Sequence, residues 1–220
     1  MRRTRSIGPD YFEQLYRDKG DPWQFVSSPY EQEKYRHSLQ ALPKDNYANA
    51  LEIGCSIGVL TRLLANRCTA LLAVDVSETA LAEAAGRCAD APNVTFARLQ
   101  IPQDAVGGRF DLIVLSEVMY YWDLADLARA AEMLYRVLTP SGDLLLVHYV
   151  AETDYPLSGD DATEAMKACL GTRMRPLFTH RRELYRLDVW RRSGGEAATV
   201  NATSRREAAL SESPVPTLRR

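Results

Sequence analysis

The sequence lacks several features that would assign it to a common functional class. Its 220 residues carry a formal net charge of only −2, so no excess of positive charge indicates a nucleic acid or an anionic membrane as a partner. No run of about 18 uncharged apolar residues occurs, which argues against a membrane-spanning helix. The N-terminal arginines are not followed by the apolar stretch of a signal peptide, so we expect a cytoplasmic protein.

Cysteine is scarce, and its spacing matches no metal site. The four cysteines are Cys55, Cys68, Cys88 and Cys169. None of them forms a C-x-x-C pair, and no histidine lies near them at the spacing of a zinc ligand. We therefore predict that the protein holds no metal and that its thiols are reduced and mostly buried.

From residue 50 onward, short apolar strands alternate with amphipathic helices. The predicted strands read ALEIG, ALLAVDVS, VTFARLQ, FDLIVLSEV and PSGDLLLVHYV, and the stretch LFTHRRELYRLDVWRR predicts a terminal strand pair. Strands that alternate with helices of ten or more residues form a parallel sheet covered on both faces. The pattern therefore predicts a doubly wound α/β fold with a mostly parallel, seven-stranded sheet.

Two regions flank this sheet domain, which we assign to residues 44–192. DYFEQLYRD and YEQEKYRHSLQALP have apolar residues at helical spacing, so residues 1–43 are expected to form a helical lid. Residues 193–220 are rich in Gly, Ala, Ser, Thr and Arg without periodicity, and we expect a flexible tail.

The stretch LEIGCSIG, residues 51–58, follows the first predicted strand and contains two glycines. Gly54 lies at the carboxyl end of that strand, where open parallel sheets bind ligands, and Gly58 opens the following helix. The dinucleotide fingerprint G-x-G-x-x-G is absent, because Ser56 and Val59 stand where it needs glycines. By themselves the two glycines also fit an ordinary strand-to-helix turn.

Two carboxylates near this turn favour a ligand. Asp75 ends the second predicted strand about 20 residues after Gly54, the position of the ribose-hydroxyl acceptor in nucleotide-binding sheets. Asp75 could instead cap the next helix, although Ser77 is better placed for that. Glu52 lies within the strand before the turn, where its charge would repel a pyrophosphate and attract a cation.

LEIGCSIG resembles the first motif of S-adenosylmethionine-dependent methyltransferases, acid-x-Gly-x-Gly-x-Gly, with Ser56 in place of one glycine. LLAVDVS, VTFARLQIP, FDLIVLSEVMYYW and LYRVLTPSGDLLL are similar to the next four motifs in order, over about residues 48–150. The resemblance implies that Asp75 binds the ribose and that Gln100, where an acid is common, lies near the adenine. The residues that we predict to bind this cofactor are Trp23, Tyr30, Lys34, Glu52, Gly54, Cys55, Ser56, Gly58, Asp75, Val76, Gln100, Ile101 and Ser116.

The segment DPWQFVSSPYEQEKY, residues 21–35, is distinctive. Together with the motifs above, it makes most of the chain resemble the rhizobial nodulation protein S family. That resemblance implies N-methyl transfer from S-adenosylmethionine, with S-adenosylhomocysteine as the product. The implied acceptor is the free amine of the non-reducing-end glucosamine of a de-N-acetylated chitooligosaccharide, a Nod factor precursor. We expect this small-molecule substrate and no obligate protein partner.

Two residues are candidates for the base that removes the acceptor's proton. Glu117 follows the fourth predicted strand and could hold and deprotonate an ammonium, or it could be a helix cap or salt-bridge partner. His148 lies on the fifth strand and could be a base or a hydrogen-bonded core residue.

Aromatic residues at the mouth of the predicted cleft are candidates for sugar binding. Tyr120, Tyr121 and Trp122 follow the fourth strand, and we expect at least one of them to face a ligand or lid. Alternatively, two of them could anchor the N-terminal helices. Trp23 and Tyr30 could close over the cofactor or clasp the N-terminal segment. Lys34 could meet the carboxylate of the cofactor or be merely solvated.

Three other functions stay open from the sequence. The protein could methylate another small amine or hydroxyl acceptor, because the motifs describe only the donor. It could also be a catalytically silent regulator that binds S-adenosylmethionine. A nicotinamide-dependent enzyme is disfavoured by the loop spacing and by Glu52.

Overall fold

The computed structural model describes residues 2–194, in which seven strands form one sheet and six α-helices surround it. The strands are β1 Tyr47–Ile53, β2 Cys68–Asp75, β3 Val94–Arg98, β4 Phe110–Ser116, β5 Leu138–Tyr149, β6 Met174–Arg181 and β7 Tyr185–Arg192. The helices are α1 Pro9–Lys19, α2 Pro29–Ala41, α3 Val59–Leu64, α4 Glu78–Arg87, α5 Leu124–Val137 and α6 Gly159–Leu170. Residues 195–220 of the predicted tail lie outside the described residues.

The strand order is β3-β2-β1-β4-β5-β7-β6. The first five strands of this order run parallel, and β7 is antiparallel to both β5 and β6. The predicted doubly wound sheet and its terminal strand pair are therefore confirmed. The chain order reverses between β1 and β4, which opens a crevice at the carboxyl ends of these strands.

The sheet is buried on both faces because its central strands are apolar at successive positions. On β4, Leu112 and Val114 pack toward one core, whereas Ile113 and Leu115 pack toward the other. All four are 0% exposed. This arrangement follows from the alternation of side chains along a strand and explains why the predicted strands read as unbroken apolar runs.

The N-terminal region is fastened to the carboxyl edge of the sheet. The Ile7 amide donates to the Tyr121 carbonyl over 2.9 Å. Glu13 of α1 accepts hydrogen bonds from the hydroxyls of Ser77 and Thr79 at the start of α4, each over 2.7 Å. Ser77 also caps α4 by accepting from the Ala80 amide, as predicted. The helices of residues 1–43 therefore cover the crevice, and their action as a lid stays a prediction.

Within residues 2–194, no helix has the length and apolar character needed to cross a membrane. Over the same range, no cluster of three or more His, Cys, Asp or Glu side chains is arranged to hold a metal ion.

Candidate active site

A cavity of about 330 Å³ lies between the carboxyl ends of β1, β2 and β4 and the N-terminal helices. Its size is typical of small-molecule sites. Eleven aromatic residues line it: Phe12, Tyr16, Trp23, Phe25, Tyr30, Tyr35, Tyr120, Tyr121, Trp122, Tyr149 and Tyr155. The charged residues of its wall are Glu31, Lys34, Glu52, Asp75, Glu117 and Asp126. Five acidic side chains against one lysine make the cavity suited to a ligand that carries positive charge.

The two glycines of the turn after β1 have different roles. Gly54 lines the cavity with φ +74°, and a Cβ there would lie 2.3 Å from a methyl carbon of Val118. Gly58, predicted to bind the cofactor, does not line the cavity. A Cβ at Gly58 would lie 2.9 Å from the Cα of Ala84, so this glycine permits α3 to approach α4. The structure therefore explains why glycine is required at position 58 by helix packing, and its contact with a cofactor stays a prediction.

Ser56 occupies the irregular position of the turn with φ +51°. Its hydroxyl accepts a hydrogen bond of 2.6 Å from the Tyr16 hydroxyl of α1, and its amide donates to Asp75 over 2.9 Å. The backbone thus accommodates a side chain in the left-handed region, as expected. The hydrogen bond from Tyr16 connects that side chain to the N-terminal helix and offsets the strain of the positive φ.

We expect Ser56→Gly to lower the free energy of unfolding by about 1 kcal/mol, because the buried Tyr16 hydroxyl loses its acceptor. Affinity for S-adenosylhomocysteine should stay within threefold of the wild-type value. Adding Tyr16→Phe should restore the stability, since glycine relieves the strained φ and no hydroxyl is left unpaired. Denaturant unfolding and calorimetry measure both; a tenfold loss of affinity in Ser56→Gly would instead place the serine hydroxyl against the ligand.

Asp75 lines the cavity at the end of β2 and is 7% exposed. One carboxylate oxygen accepts from the Ser56 amide and the other from the Ser77 amide, over 2.9 and 3.0 Å. Burial raises the pKa of Asp75, and the backbone amides oppose that rise. The carboxylate therefore holds the turn in shape and leaves one lone pair on each oxygen for a ligand.

Glu52 lies on β1 beneath the turn, lines the cavity and is 2% exposed. Its Oε2 atom is buried and has no hydrogen-bond partner. Burial raises the pKa of Glu52 to about 8, and the nearby Asp75 carboxylate contributes to the rise. A buried acceptor without a partner is costly, so Glu52 is suited to a cationic donor supplied by a ligand.

The remaining residues predicted at the cofactor line the same cavity. They are Trp23, Tyr30, Lys34, Cys55, Val76, Gln100, Ile101 and Ser116. The backbone amide of Gln100 donates a hydrogen bond to the Asp104 carboxylate, while its side chain makes no hydrogen bond within the described residues. The structure therefore brings together every predicted cofactor residue except Gly58, and their contacts with a cofactor stay predictions.

Lys34 of α2 is 1% exposed, so the expectation of a merely solvated lysine is wrong. Its Nζ donates to Glu31 over 2.9 Å and to Glu117 over 2.5 Å. Two carboxylates thus neutralise the ammonium that was expected to meet the carboxylate of the cofactor.

Glu117 follows β4 with φ +59° and lines the cavity. Lys34 donates to Oε1, while the Tyr120 hydroxyl and the Tyr149 amide donate to Oε2 over 2.6 and 2.8 Å. Burial would raise the pKa of Glu117, but the Lys34 ammonium brings it below its ordinary value. The salt-bridge interpretation is confirmed, and this ionised, well-bonded carboxylate is a weak candidate for the base.

His148 does not line the cavity and is 0% exposed, so its position does not support the predicted role as a base, which stays a prediction. Its Nε2 accepts from the Met119 amide over 3.2 Å. Burial lowers the pKa of His148 to about 4. The ring is the hydrogen-bonded core residue of the alternative interpretation, and it fixes the turn after β4.

We expect His148→Gln to keep at least half of the wild-type turnover, because Gln can also accept from the Met119 amide. The wild type should lose stability as the pH falls from about 6.5 to about 4, since only the unfolded chain binds the histidine proton in that range. Over this pH range the free energy of unfolding should fall less in the variant than in the wild type, by on the order of 3 kcal/mol. Unfolding at several pH values tests the stability difference, and steady-state kinetics tests the turnover. A hundredfold loss of turnover in a folded variant would favour the catalytic role.

The three consecutive aromatics all line the cavity, and none is exposed to solvent. Tyr121 packs edge-on against Phe12 of α1, with ring centroids 4.8 Å apart, so it anchors the N-terminal region. Tyr120 stacks on Tyr155 at 5.3 Å. All three therefore face the cavity or the N-terminal region, as expected of at least one of them, and their contact with a sugar stays a prediction. Trp23 stacks on Phe25 and meets Tyr16 edge-on, as the clasp interpretation requires.

Sequence reasoning missed several residues of this cavity, notably Glu31, Tyr16, Tyr149 and Tyr155. Glu31 stands one position after Tyr30 in the motif residues 21–35, which was the available signal. For the others no local pattern distinguishes a cavity residue from an ordinary helix or loop aromatic.

Comparison with known sequences gives a consistent result. A family model described as Nodulation protein S (NodS) matches residues 10–152. A nodulation protein S from Sinorhizobium fredii is 34% identical over 127 residues, covering 57% of this chain and 59% of that protein. The chain thus spans about three fifths of the length of that curated relative.

Solved structures share the fold. A crystal structure from Pseudomonas syringae, provisionally assigned as a methyltransferase, is 35% identical with a TM-score of 0.66, covering 74% of this chain and 99% of that one. The N-methyltransferase NodS from Bradyrhizobium japonicum WM9, in complex with S-adenosylhomocysteine, is 24% identical with a TM-score of 0.75, covering 84% and 99%. The fold is therefore that of the class I S-adenosylmethionine-dependent methyltransferases.

Proposed function

Because the chain belongs to the nodulation protein S family, we propose that it transfers a methyl group from S-adenosylmethionine to the nitrogen of an amine. The proposed acceptor is the free amine of the non-reducing-end glucosamine of a de-N-acetylated chitooligosaccharide. Support comes from the named relatives and from the chemistry of the cavity wall.

The single observation that carries the donor is the charge of that wall. Five acidic side chains and one lysine line the cavity, and no arginine lines it within the described residues. A pyrophosphate would be repelled there. The residues fit S-adenosylmethionine, because the unpartnered Glu52 oxygen could receive its α-ammonium and Asp75 could receive its ribose hydroxyls.

When bound, S-adenosylmethionine supplies a methyl group on a positively charged sulfur. The protein then has to orient a neutral amine in line with the S–CH₃ bond and exclude water. The aromatic wall and the N-terminal helices over the crevice serve both purposes. Tyrosine hydroxyls and ring faces also suit a sugar acceptor, which offers hydroxyls and C–H faces.

Incubation with S-adenosylmethionine and de-N-acetylated chitotetraose, followed by mass spectrometry, tests the acceptor. We expect the gain of at least one methyl group on the oligosaccharide and none on fully acetylated chitotetraose. Methylation of simple amines or phenols but not of the oligosaccharide would refute the sugar acceptor. Binding of S-adenosylhomocysteine without transfer to any acceptor would favour a silent regulator.

A further inference from the structure

We propose that Glu31, assisted by the Tyr30 hydroxyl, holds the ammonium of the acceptor and takes its proton before methyl transfer. This inference rests on the proposed function and assigns the base of that reaction to a residue of α2. Glu31 and Glu117 both accept from Lys34, and the proposal gives them different roles: Glu31 is the base, and Glu117 positions its neighbours.

The geometry of Glu31 leaves one oxygen available. Glu31 lies in the first turn of α2, lines the cavity and is 7% exposed. Its Oε1 accepts from Lys34, whereas Oε2 is buried and has no hydrogen-bond partner. The hydroxyl of Tyr30, the preceding residue in the sequence, is also buried without a partner, and Tyr30 lines the same cavity. Two unpaired polar atoms on residues of one cavity wall indicate a ligand that donates hydrogen bonds.

Glu117 is less suited to the same task because its oxygens already accept three hydrogen bonds. Its partners come from α2, from the turn after β4 and from the end of β5. The carboxylate therefore positions Lys34 and Tyr120 at the wall. In this arrangement Glu117 stays ionised while Glu31 changes its protonation state.

The charge of the network also favours a cation. Glu31 and Glu117 carry two negative charges around the single positive charge of Lys34, so one negative charge remains. An ammonium bound at the free oxygen of Glu31 would neutralise the group. Because the site is buried, this attraction is screened less than it would be at the surface.

The groups that face Glu31 set its proton affinity. They are Lys34, Glu117 and Tyr35: the Lys34 ammonium and hydrogen bonding from the Tyr35 hydroxyl lower the pKa of Glu31, and Glu117 raises it. Burial is the largest influence, and the pKa of Glu31 is raised overall, in contrast to that of Glu117. A carboxylate with a raised pKa accepts a proton from an ammonium more readily.

The proposed step balances. The acceptor enters as R–NH₃⁺, and Glu31 removes one proton to leave R–NH₂. The nitrogen lone pair forms the N–C bond while the S–C electron pair goes to sulfur, which gives R–NH₂⁺–CH₃ and neutral S-adenosylhomocysteine. Glu31 then returns its proton to solvent after the product leaves.

Methyl transfer by Glu31→Gln at pH 6 and pH 9 tests the role, because Gln keeps an acceptor for Lys34 but cannot take the proton. We expect kcat/KM for de-N-acetylated chitotetraose to fall at least 30-fold at pH 6 and less than threefold at pH 9, where solvent supplies the neutral amine. Tyr30→Phe should raise KM with little change in kcat. Glu33→Gln is the control, since Glu33 pairs with Arg36 on the exposed side of the same helix. A deficit in Glu31→Gln that does not change with pH would overturn the proposal.

A binding measurement keeps the inference separate from the proposed function. Calorimetry on the S-adenosylhomocysteine complex at pH 6 should show at least tenfold tighter binding of de-N-acetylated than of fully acetylated chitotetraose, and Glu31→Gln should abolish that preference. If the preference is absent or survives in the variant, Glu31 does not hold the ammonium. If the variant loses S-adenosylhomocysteine affinity more than tenfold, Glu31 belongs to the cofactor site and the proposal is wrong. If the wild type shows the preference but methylates no amine, the proposed function fails on its own.

Discussion

Asp75→Ala is expected to lower the affinity for S-adenosylhomocysteine at least a hundredfold. The substitution removes the acceptor proposed for two ribose hydroxyls, and each hydrogen bond to a charged group contributes about 1.5–3 kcal/mol. It also releases the amides of Ser56 and Ser77, which the carboxylate holds. Calorimetric titration of the wild type and the variant gives the ratio of dissociation constants.

Asp111→Ala is the matched control for this experiment. Asp111 also accepts two backbone hydrogen bonds, from the amides of Ala48 and Asn49, but it does not line the cavity. Both variants should lose a similar amount of stability, and only Asp75→Ala should lose the ligand. Equal affinities for the two variants would show that Asp75 is structural and that the ribose binds elsewhere.

The second large effect concerns Glu52 and pH. In the ligand-free protein the pKa of Glu52 is raised to about 8 by burial, whereas a bound ammonium favours the ionised form. Affinity for S-adenosylhomocysteine should therefore rise with pH between 6 and 8, by up to about tenfold per pH unit. Glu52→Gln should bind at least tenfold more weakly at pH 8 and should lose the pH dependence. Calorimetry at pH 6, 7 and 8 measures both.

Stability should change with pH in the opposite direction. Because the folded ligand-free protein keeps the Glu52 proton up to about pH 8 and the unfolded chain loses it near pH 4.5, the wild type loses stability as the pH rises through this range. Glu52→Gln removes this loss and should be more stable than the wild type at pH 8. Glu132→Gln, which alters an exposed pair with Arg173, is the control. In the affinity experiment, an affinity of the wild type for S-adenosylhomocysteine that does not change between pH 6 and pH 8 would contradict the role of Glu52.

Much of the fold could be predicted because short sequence patterns indicate its strands and helix starts. The unbroken apolar runs of β2 and β4 indicate strands covered on both faces, and Ser77 marks the start of α4. The boundaries were less predictable. β1 begins at Tyr47, before the predicted segment, because Tyr47 pairs with Cys68 and its hydroxyl donates to Asp143 across the sheet. Such long-range contacts leave no local signal.

The same division holds for the candidate site. Glu52, Gly54 and Asp75 could be predicted because strand ends and glycine spacing place them at one edge of the sheet. Lys34 and Glu31 lie on a polar helix, for which sequence favours exposure, and only the packing of α2 over the crevice buries them. The burial of His148 outside the cavity could not be predicted either, since its place on β5 does not show that its ring faces the turn after β4.

The central claim is that the acidic, arginine-free cavity holds S-adenosylmethionine. Calorimetric titration of the wild type with S-adenosylhomocysteine and, separately, with NAD tests it most directly. We expect saturable binding of one S-adenosylhomocysteine per chain and no measurable binding of NAD. Saturable binding of NAD with none of S-adenosylhomocysteine would contradict it.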